Sequence, residues 1–173
     1  MSTSTSVQTR VEARVWARST TWVANELGRV LIEIVSQRAL PLDYLHQHLE
    51  LFVASFRTWV TGRYLAGVYL EVYDEPTGTL MERYDLGLNY DTPVRSSEEK
   101  FETRIGLLEQ ELARREAAHP NCRYRVVVEL VHGAPELPGW NPTALQDTSR
   151  LRRKDVGGII DTSRIGVAFS LWL

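Results

Sequence analysis

The chain has 173 residues, of which 43% are apolar and 24% charged, with a formal net charge of −2. That length builds one domain with a sizeable core, and the charge balance gives no electrostatic case for a nucleic-acid or membrane-surface partner. The single cysteine, Cys122, excludes an internal disulfide, no apolar run nears the roughly 20 residues that span a bilayer, and Met1–Ser6 lacks the regions of a signal peptide, so the expectation is a cytoplasmic protein.

Met1–Gln8 is polar and reads as a loose tail, with a short extended piece at Val11, Ala13 and Val15. From about Thr20 the apolar period becomes helical. Val23, Leu27, Val30, Leu31, Ile34 and Val35 share a face, which predicts a buried helix over Thr20–Arg38. Pro41 suits a helix start. Leu45, Leu49, Phe52, Phe56 and Val60 continue at helical spacing to about Thr61, and Gly62 suits the carboxyl end.

Tyr64–Tyr73 and Thr79–Tyr90 are strand-like. Between them, Asp74–Gly78 is a turn in which Pro76 presets φ and Gly78 supplies a positive φ, so the pair reads as a hairpin. Asp91–Arg95 is a loop. Ser96 or Ser97 can cap a third helix, with Glu98 and Glu99 in its first turn, over about Ser97–Ala118. Cys122–His132 is a third strand. A long irregular stretch, Gly133–Arg164, follows. Ile165–Leu173 then alternates, with Val167, Phe169 and Leu171 on one side. An irregular segment of that length tethered at both ends points to a partner-binding arm. The expected architecture is α+β: three main helices packed on a mostly antiparallel sheet, with a carboxyl-terminal arm.

Catalytic patterns are sparse. Gly157-Gly158 has neither a following helix nor a lysine, so it reads as a flexible pair and not a phosphate loop. His46 and His48 point to different faces of a helix, and His119 and His132 sit at element ends, so no metal is expected. Cys122 reads as a buried, inert thiol. Asp74, Glu75 and Asp85 read as turn residues and strand flanks. Arg150, Arg152, Arg153 and Lys154 read as a solvated loop face. No cofactor is expected. Trp140 lies in Pro138-Gly139-Trp140-Asn141-Pro142, where no regular element can form. It either anchors the arm to the core or touches a ligand, and on both readings it pins the arm.

The order of elements, the hairpin Tyr64–Tyr73 with Asp74–Gly78 and Leu80–Asp91, the strand Cys122–Val128 and the Pro138-Gly139-Trp140 arm together resemble a bacterial HORMA-domain protein of the cyclic-oligonucleotide anti-phage (CBASS) operons. The resemblance implies one HORMA-like domain over residues 1–173: a flexible tail 1–11, a core 12–132 and a safety belt 133–173. It implies a non-enzymatic switch whose belt wraps a closure-motif peptide added to the edge of Arg123–Val131. The implied peptide-binding residues are Arg123, Tyr124, Arg125, Val126, Val127 and Val128 on the edge strand, and Trp140, Ile165, Val167 and Phe169 on the belt. The peptide-bound form would bind and activate a cGAS-like nucleotidyltransferase. An AAA+ ATPase would reset it by pulling on the amino terminus, with Ser2, Thr3, Ser4, Thr5 and Ser6 as the handle. A second HORMA protein is a further implied partner; nucleic acid and membrane are not. Some relatives carry a closure motif beyond the last strand. Here Leu173 lies inside the apparent strand, which implies a receiver of peptides. Two other readings stand beside this one: a structural subunit whose last strand completes a neighbour's sheet, and a small enzyme with its residues drawn from distant segments.

Overall fold

A computed structural model describes residues 3–90 and 99–173. The expected loop Asp91–Arg95, the cap at Ser96 or Ser97, Glu98 and the handle residue Ser2 lie outside the described residues. Helix α1 runs over Thr3–Gln37 and α2 over Asp43–Thr61. Strands β1 (Leu65–Asp74) and β2 (Leu80–Asn89) form the hairpin. Strand β3 (Phe101–Thr103) leads into α3 (Ile105–Ala113) and then β4 (Cys122–Leu130). Strands β5 (Arg153–Thr162) and β6 (Gly166–Trp172) complete one sheet in the order β3-β5-β6-β2-β1-β4, with every neighbouring pair antiparallel.

Helices α1 and α2 cover one face of this sheet. Val23, Leu27, Val30, Leu31 and Ile34 of α1 are fully buried against Leu45, Phe56 and Val60 of α2 and against Val68, Leu70, Val72, Leu86 and Phe169 of the sheet. The alternation of β1 is visible in this packing. Val68, Leu70 and Val72 face the helices, and Tyr69, Glu71 and Tyr73 face the other way. The hairpin turn closes as the sequence predicts: Gly78 has φ +68°, and its N–H donates to Asp74 O at 2.7 Å.

Three elements differ from the expectations. Helix α1 is described from Thr3, so residues 3–8 of the expected tail and the extended lead-in are helical, and the handle residues Thr3, Ser4, Thr5 and Ser6 lie on it. Residues 1–27 hold neither proline nor glycine, and a nucleated helix propagates cheaply along such a stretch. Val7 and Val11 stay 58% and 53% exposed, so the helix is not packed at these two apolar positions. The third helix is shorter than Ser97–Ala118. Phe101–Thr103 is taken by pairing with β5, and the Thr103 hydroxyl donates to Glu26 at 2.9 Å. Beyond Ala113 the chain is drawn to the body. Ala118 N–H donates to Arg38 O at 3.0 Å, and the Arg38 guanidinium donates to Glu116 O.

The irregular stretch Gly133–Arg164 is the third difference. Its second half, Arg153–Thr162, is a strand with register breaks at Asp155/Gly157 and Gly158/Ile160. Bulges and glycines erase the period-2 signal in sequence. Gly62 ends α2 as expected, at its C-cap with φ −86°, and the left-handed residue is the following Arg63 at φ +59°.

Candidate functional site

Strand β4 ends the sheet, with β1 as its only neighbour among the described residues. Glu75 N–H donates to Asn121 O at 3.0 Å, and stepping by two along the register puts Arg123, Arg125 and Val127 in the positions bonded to β1. Tyr124, Val126 and Val128 therefore turn their N–H and C=O groups outward. No described backbone group of the arm pairs with them. An unpaired edge of this kind is a template for another strand.

The arm, residues 131–152, passes around that edge. On the helix side it is pinned by two tryptophans. Trp140 sits 4.9 Å from the Phe52 ring, 5.3 Å from Trp59 and 6.1 Å from Phe56, centroid to centroid. Its Nε1–H donates to Ser55 Oγ at 2.9 Å, and the Ser55 hydroxyl donates on to Leu51 O at 2.8 Å. Trp59 Nε1–H donates to Pro135 O at 2.9 Å. Gly139 makes the approach possible. Its φ is +86°, and a Cβ there would lie 2.5 Å from Leu51 Cδ2.

On the opposite face of the sheet the arm is pinned by charge. Glu71 is 0% exposed; its carboxylate accepts from Gln146 N–H at 2.7 Å and pairs with Arg125 Nη2 at 2.6 Å. Arg125 Nη2 also donates to Ala144 O at 3.0 Å. Both contacts hold arm backbone. Between Trp140 and Ala144 the chain crosses from the helix face to the outer face. Only four residue steps, at most about 14 Å of extended chain, carry the arm from one face to the other. Past Gln146 the arm turns. Ser149 donates from its N–H (3.0 Å) and hydroxyl (2.5 Å) to the Asp147 carboxylate. The side-chain bond first, and the backbone bond second, hold that carboxyl below its usual range. The chain then enters β5, where Arg152 and Leu173 exchange backbone bonds at 2.8 and 3.1 Å.

Arm and edge enclose a cavity of about 650 Å³. Val126, Val128, Leu130, Trp59, Leu137 and Trp140 form its walls, and residues 141–143 its outer rim. Farther along, Tyr44 continues the aromatic wall, 5.9 Å from Tyr124 and 4.5 Å from His48. Tyr124 donates its hydroxyl to Pro41 O at 2.8 Å, and burial raises its pKa above the ordinary phenol value. Burial also raises the Cys122 thiol, which sits at the far end of β4. No nucleophile, base or metal-ligand set converges here. Among the described residues no three His, Cys, Asp or Glu side chains cluster. The cavity exposes unpaired backbone N–H and C=O groups and apolar surface.

Of the residues expected at the site, Arg123, Tyr124, Arg125, Val126, Val127, Val128 and Trp140 lie on the edge strand or the arm beside it. Arg125 acts as part of the arm's anchor. Ile165, Val167 and Phe169 do not reach the cavity. They belong to or precede β6, which is separated from β4 by β2 and β1, and they are buried in the core at 0–1% exposure. Alternation along the last strand marks them as packed, but it does not say against what. Sequence reasoning missed Glu71, Ser55, Trp59 and Leu137. Ser55 alone carried a signal, since it is polar at a position of α2 that the surrounding pattern buries. His46 and His48 lie on α2, where His48 Nδ1 is 2.8 Å from Tyr44 O.

Solved structures with this architecture include a chain of the mitotic checkpoint complex, at a TM-score of 0.73 and 13% identity over 89% of this chain and 97% of that one. C. elegans HTP-2 bound to a HIM-3 closure motif gives 0.67 at 12% identity over 91% and 90%. HTP-2 bound to HTP-3 closure motif 1 gives 0.65 at 12% over 87% and 85%. At such identities the likeness shows the fold. A comparison with curated proteins returns no match. Residues 8–173 match the family described as Bacterial HORMA domain 2, and the chain belongs to that family.

Proposed function

We propose that this chain is a non-enzymatic peptide-binding switch that receives a closure-type peptide along β4 and holds it inside the arm. The observation that carries this reading is an unpaired sheet edge enclosed by a segment pinned on both faces of the same sheet. The peptide adds as a strand, bonded to the outward N–H and C=O groups of Tyr124, Val126 and Val128. Hairpin β5–β6 is paired to β2, away from that edge, and so leaves it free. The closure-motif complexes of HTP-2, which share the fold, support the same mode here.

In this reading the loaded chain docks on and activates a cGAS-like nucleotidyltransferase in anti-phage signalling. An AAA+ ATPase resets it from the amino terminus, and a second HORMA protein is a candidate source of the peptide. The family membership supports this placement, and the exposed Val7 and Val11 of α1 give a remodeller accessible apolar grips. The site is in use within the chain's own cytoplasmic compartment.

Amide hydrogen exchange tests the binding mode. With a peptide selected from a random library, protection should rise at Tyr124, Val126 and Val128 and along the arm. Protection elsewhere, with those three amides unchanged, overturns edge addition. Nucleotidyltransferase output that rises equally with empty and loaded chain overturns the switch.

The structural-subunit reading loses ground on one observation. Strand β6, which that reading would lend to a neighbour, is paired on both sides within this chain, to β2 and β5.

A further inference from the structure

We infer that the cavity selects peptides with large apolar side chains at two alternate positions, and that Trp140 sets this selection while tying it to closure of the arm. The inference rests on the peptide-binding reading above and asks what kind of peptide that site takes.

A strand added to β4 sends alternate side chains to the helix side, opposite Val126 and Val128 and about 7 Å apart. The wall they meet is built from Trp59, Leu130, Leu137 and Trp140. Both indoles have spent their only donor within the protein, Trp140 on the Ser55 hydroxyl and Trp59 on the Pro135 carbonyl. The peptide therefore meets ring faces and aliphatic carbon, with no free indole N–H. Glu136, on the exposed rim, is the single charged side chain among the cavity residues. An acidic peptide side chain turned inward would lose its water and find a like charge at the mouth. A large apolar one fills the space and gains the contact. The intervening peptide positions face outward, opposite Arg125, Val127 and Glu129. Those three differ in charge and polarity and impose no single preference.

Trp140 differs from the other walls because it belongs to the arm. Its ring reaches the cavity only when the arm is seated on Phe52, Phe56 and Trp59. The Ser55 bond fixes which ring face is presented. An inward apolar side chain thus packs against the segment that closes over it, and side-chain choice and arm closure share one contact.

The test is a display library of twelve-residue peptides randomised at every position, selected against the native chain and against Trp140→Phe. Phe keeps an aromatic ring on α2 but removes part of the wall. The native chain should enrich large aliphatic or aromatic residues at two positions spaced i, i+2. In one enriched peptide, alanine at either position should weaken binding about tenfold or more, and aspartate further, while alanine between them should change it little. Trp140→Phe should still select peptides, with a shift to bulkier residues at one of the two positions. A purely structural role for Trp140 would lower affinity without moving that preference. Enriched peptides lacking an alternate apolar pair, or an unchanged profile with Trp140→Phe, would overturn the inference while leaving peptide binding intact. No enrichment by either protein overturns the peptide-binding reading itself.

Discussion

Glu71 stands in the middle of β1 with no exposure to water, on the face of the sheet that the helices leave open. A carboxylate there is tolerable because Arg125 pairs with it and Gln146 N–H donates to it. The same two residues grip the arm through Gln146 N–H and Ala144 C=O, so the grip depends on the arm's backbone and not on its side chains. Glu71→Ala should lower unfolding stability by about 1–3 kcal/mol, the range for a buried hydrogen-bonded group left without its partner. The lower half is expected, because the Arg125 side chain is 33% exposed and water can take up part of its charge. Denaturant unfolding measures this. In a peptide complex Glu71→Gln should speed dissociation, because the Arg125 ion pair is lost while an acceptor for Gln146 remains. A dissociation rate within twofold of native in both variants would mean that the outer-face contact does not hold the arm. In the sequence, Glu71 looks like any outward polar residue of a half-buried strand. Its role is invisible there because the segment that buries it arrives some 75 residues later in the chain.

Hairpin β5–β6 carries the arm's far end; besides its buried apolar residues, it is tied to the helix layer by Lys154, whose Nζ lies 2.6 Å from the Glu111 carboxylate of α3. That hydrogen bond, partly opposed by desolvation, holds the Glu111 carboxyl below its ordinary value. A carboxyl whose folded pKa is depressed adds stability that is present above its unfolded value, about 4.3, and is lost as pH falls through the folded value. Opening of β5, followed by amide exchange corrected for intrinsic rates, should therefore become easier below about pH 4. Glu111→Gln should flatten part of that slope. Glu102, lowered by Lys100 and Arg104, contributes with the same sign from β3, so some slope survives the substitution. An undiminished slope in Glu111→Gln would remove Lys154 as a tether.

The hairpin also shows which elements a sequence reveals. Helix α2, strands β1 and β2 and strand β4 were legible because one face of each is continuously buried and the apolar period survives. Strand β5 was not. Its register breaks and its Gly157-Gly158 pair leave no alternation to read, although Ile159 and Ile160 are both buried. Residues 7–14 of α1 were misread for the opposite reason, since they form a helix with no buried side chain and thus no period. Deleting residues 3–12 should accordingly change unfolding stability by less than about 1 kcal/mol, as surface changes do. The packing of α1 begins at Trp16, whose Nε1–H donates to Thr61 O at 3.1 Å and whose ring lies under Arg63.

At the scale of the whole molecule, strand β4, the arm and the rest of the sheet form a ring. It closes at Trp140 on one face, at Gln146 on the other, and through β5–β6 back to β2. A peptide strand inside that ring can leave in two ways: by sliding out along its own axis or by waiting for a pin to release. Its residence time is then set by the ring more than by the area it buries, which separates slow dissociation from high intrinsic affinity. A cut in the ring isolates the two contributions. Residues 147, 149 and 150 are exposed, and a protease site inserted there should be tolerated, as insertions at exposed loop tips are. Before cleavage the peptide complex should dissociate at the native rate. After cleavage β5–β6 remains paired to β2 and Trp140 remains on α2, so far-ultraviolet circular dichroism should not change. The peptide should nevertheless leave at least about tenfold faster, a loss of roughly 1.4 kcal/mol in the barrier. Equal dissociation before and after the cut, with the fold intact, would mean that edge pairing and the apolar cavity alone retain the peptide. The ring would then be a consequence of the topology and not the device that holds the ligand.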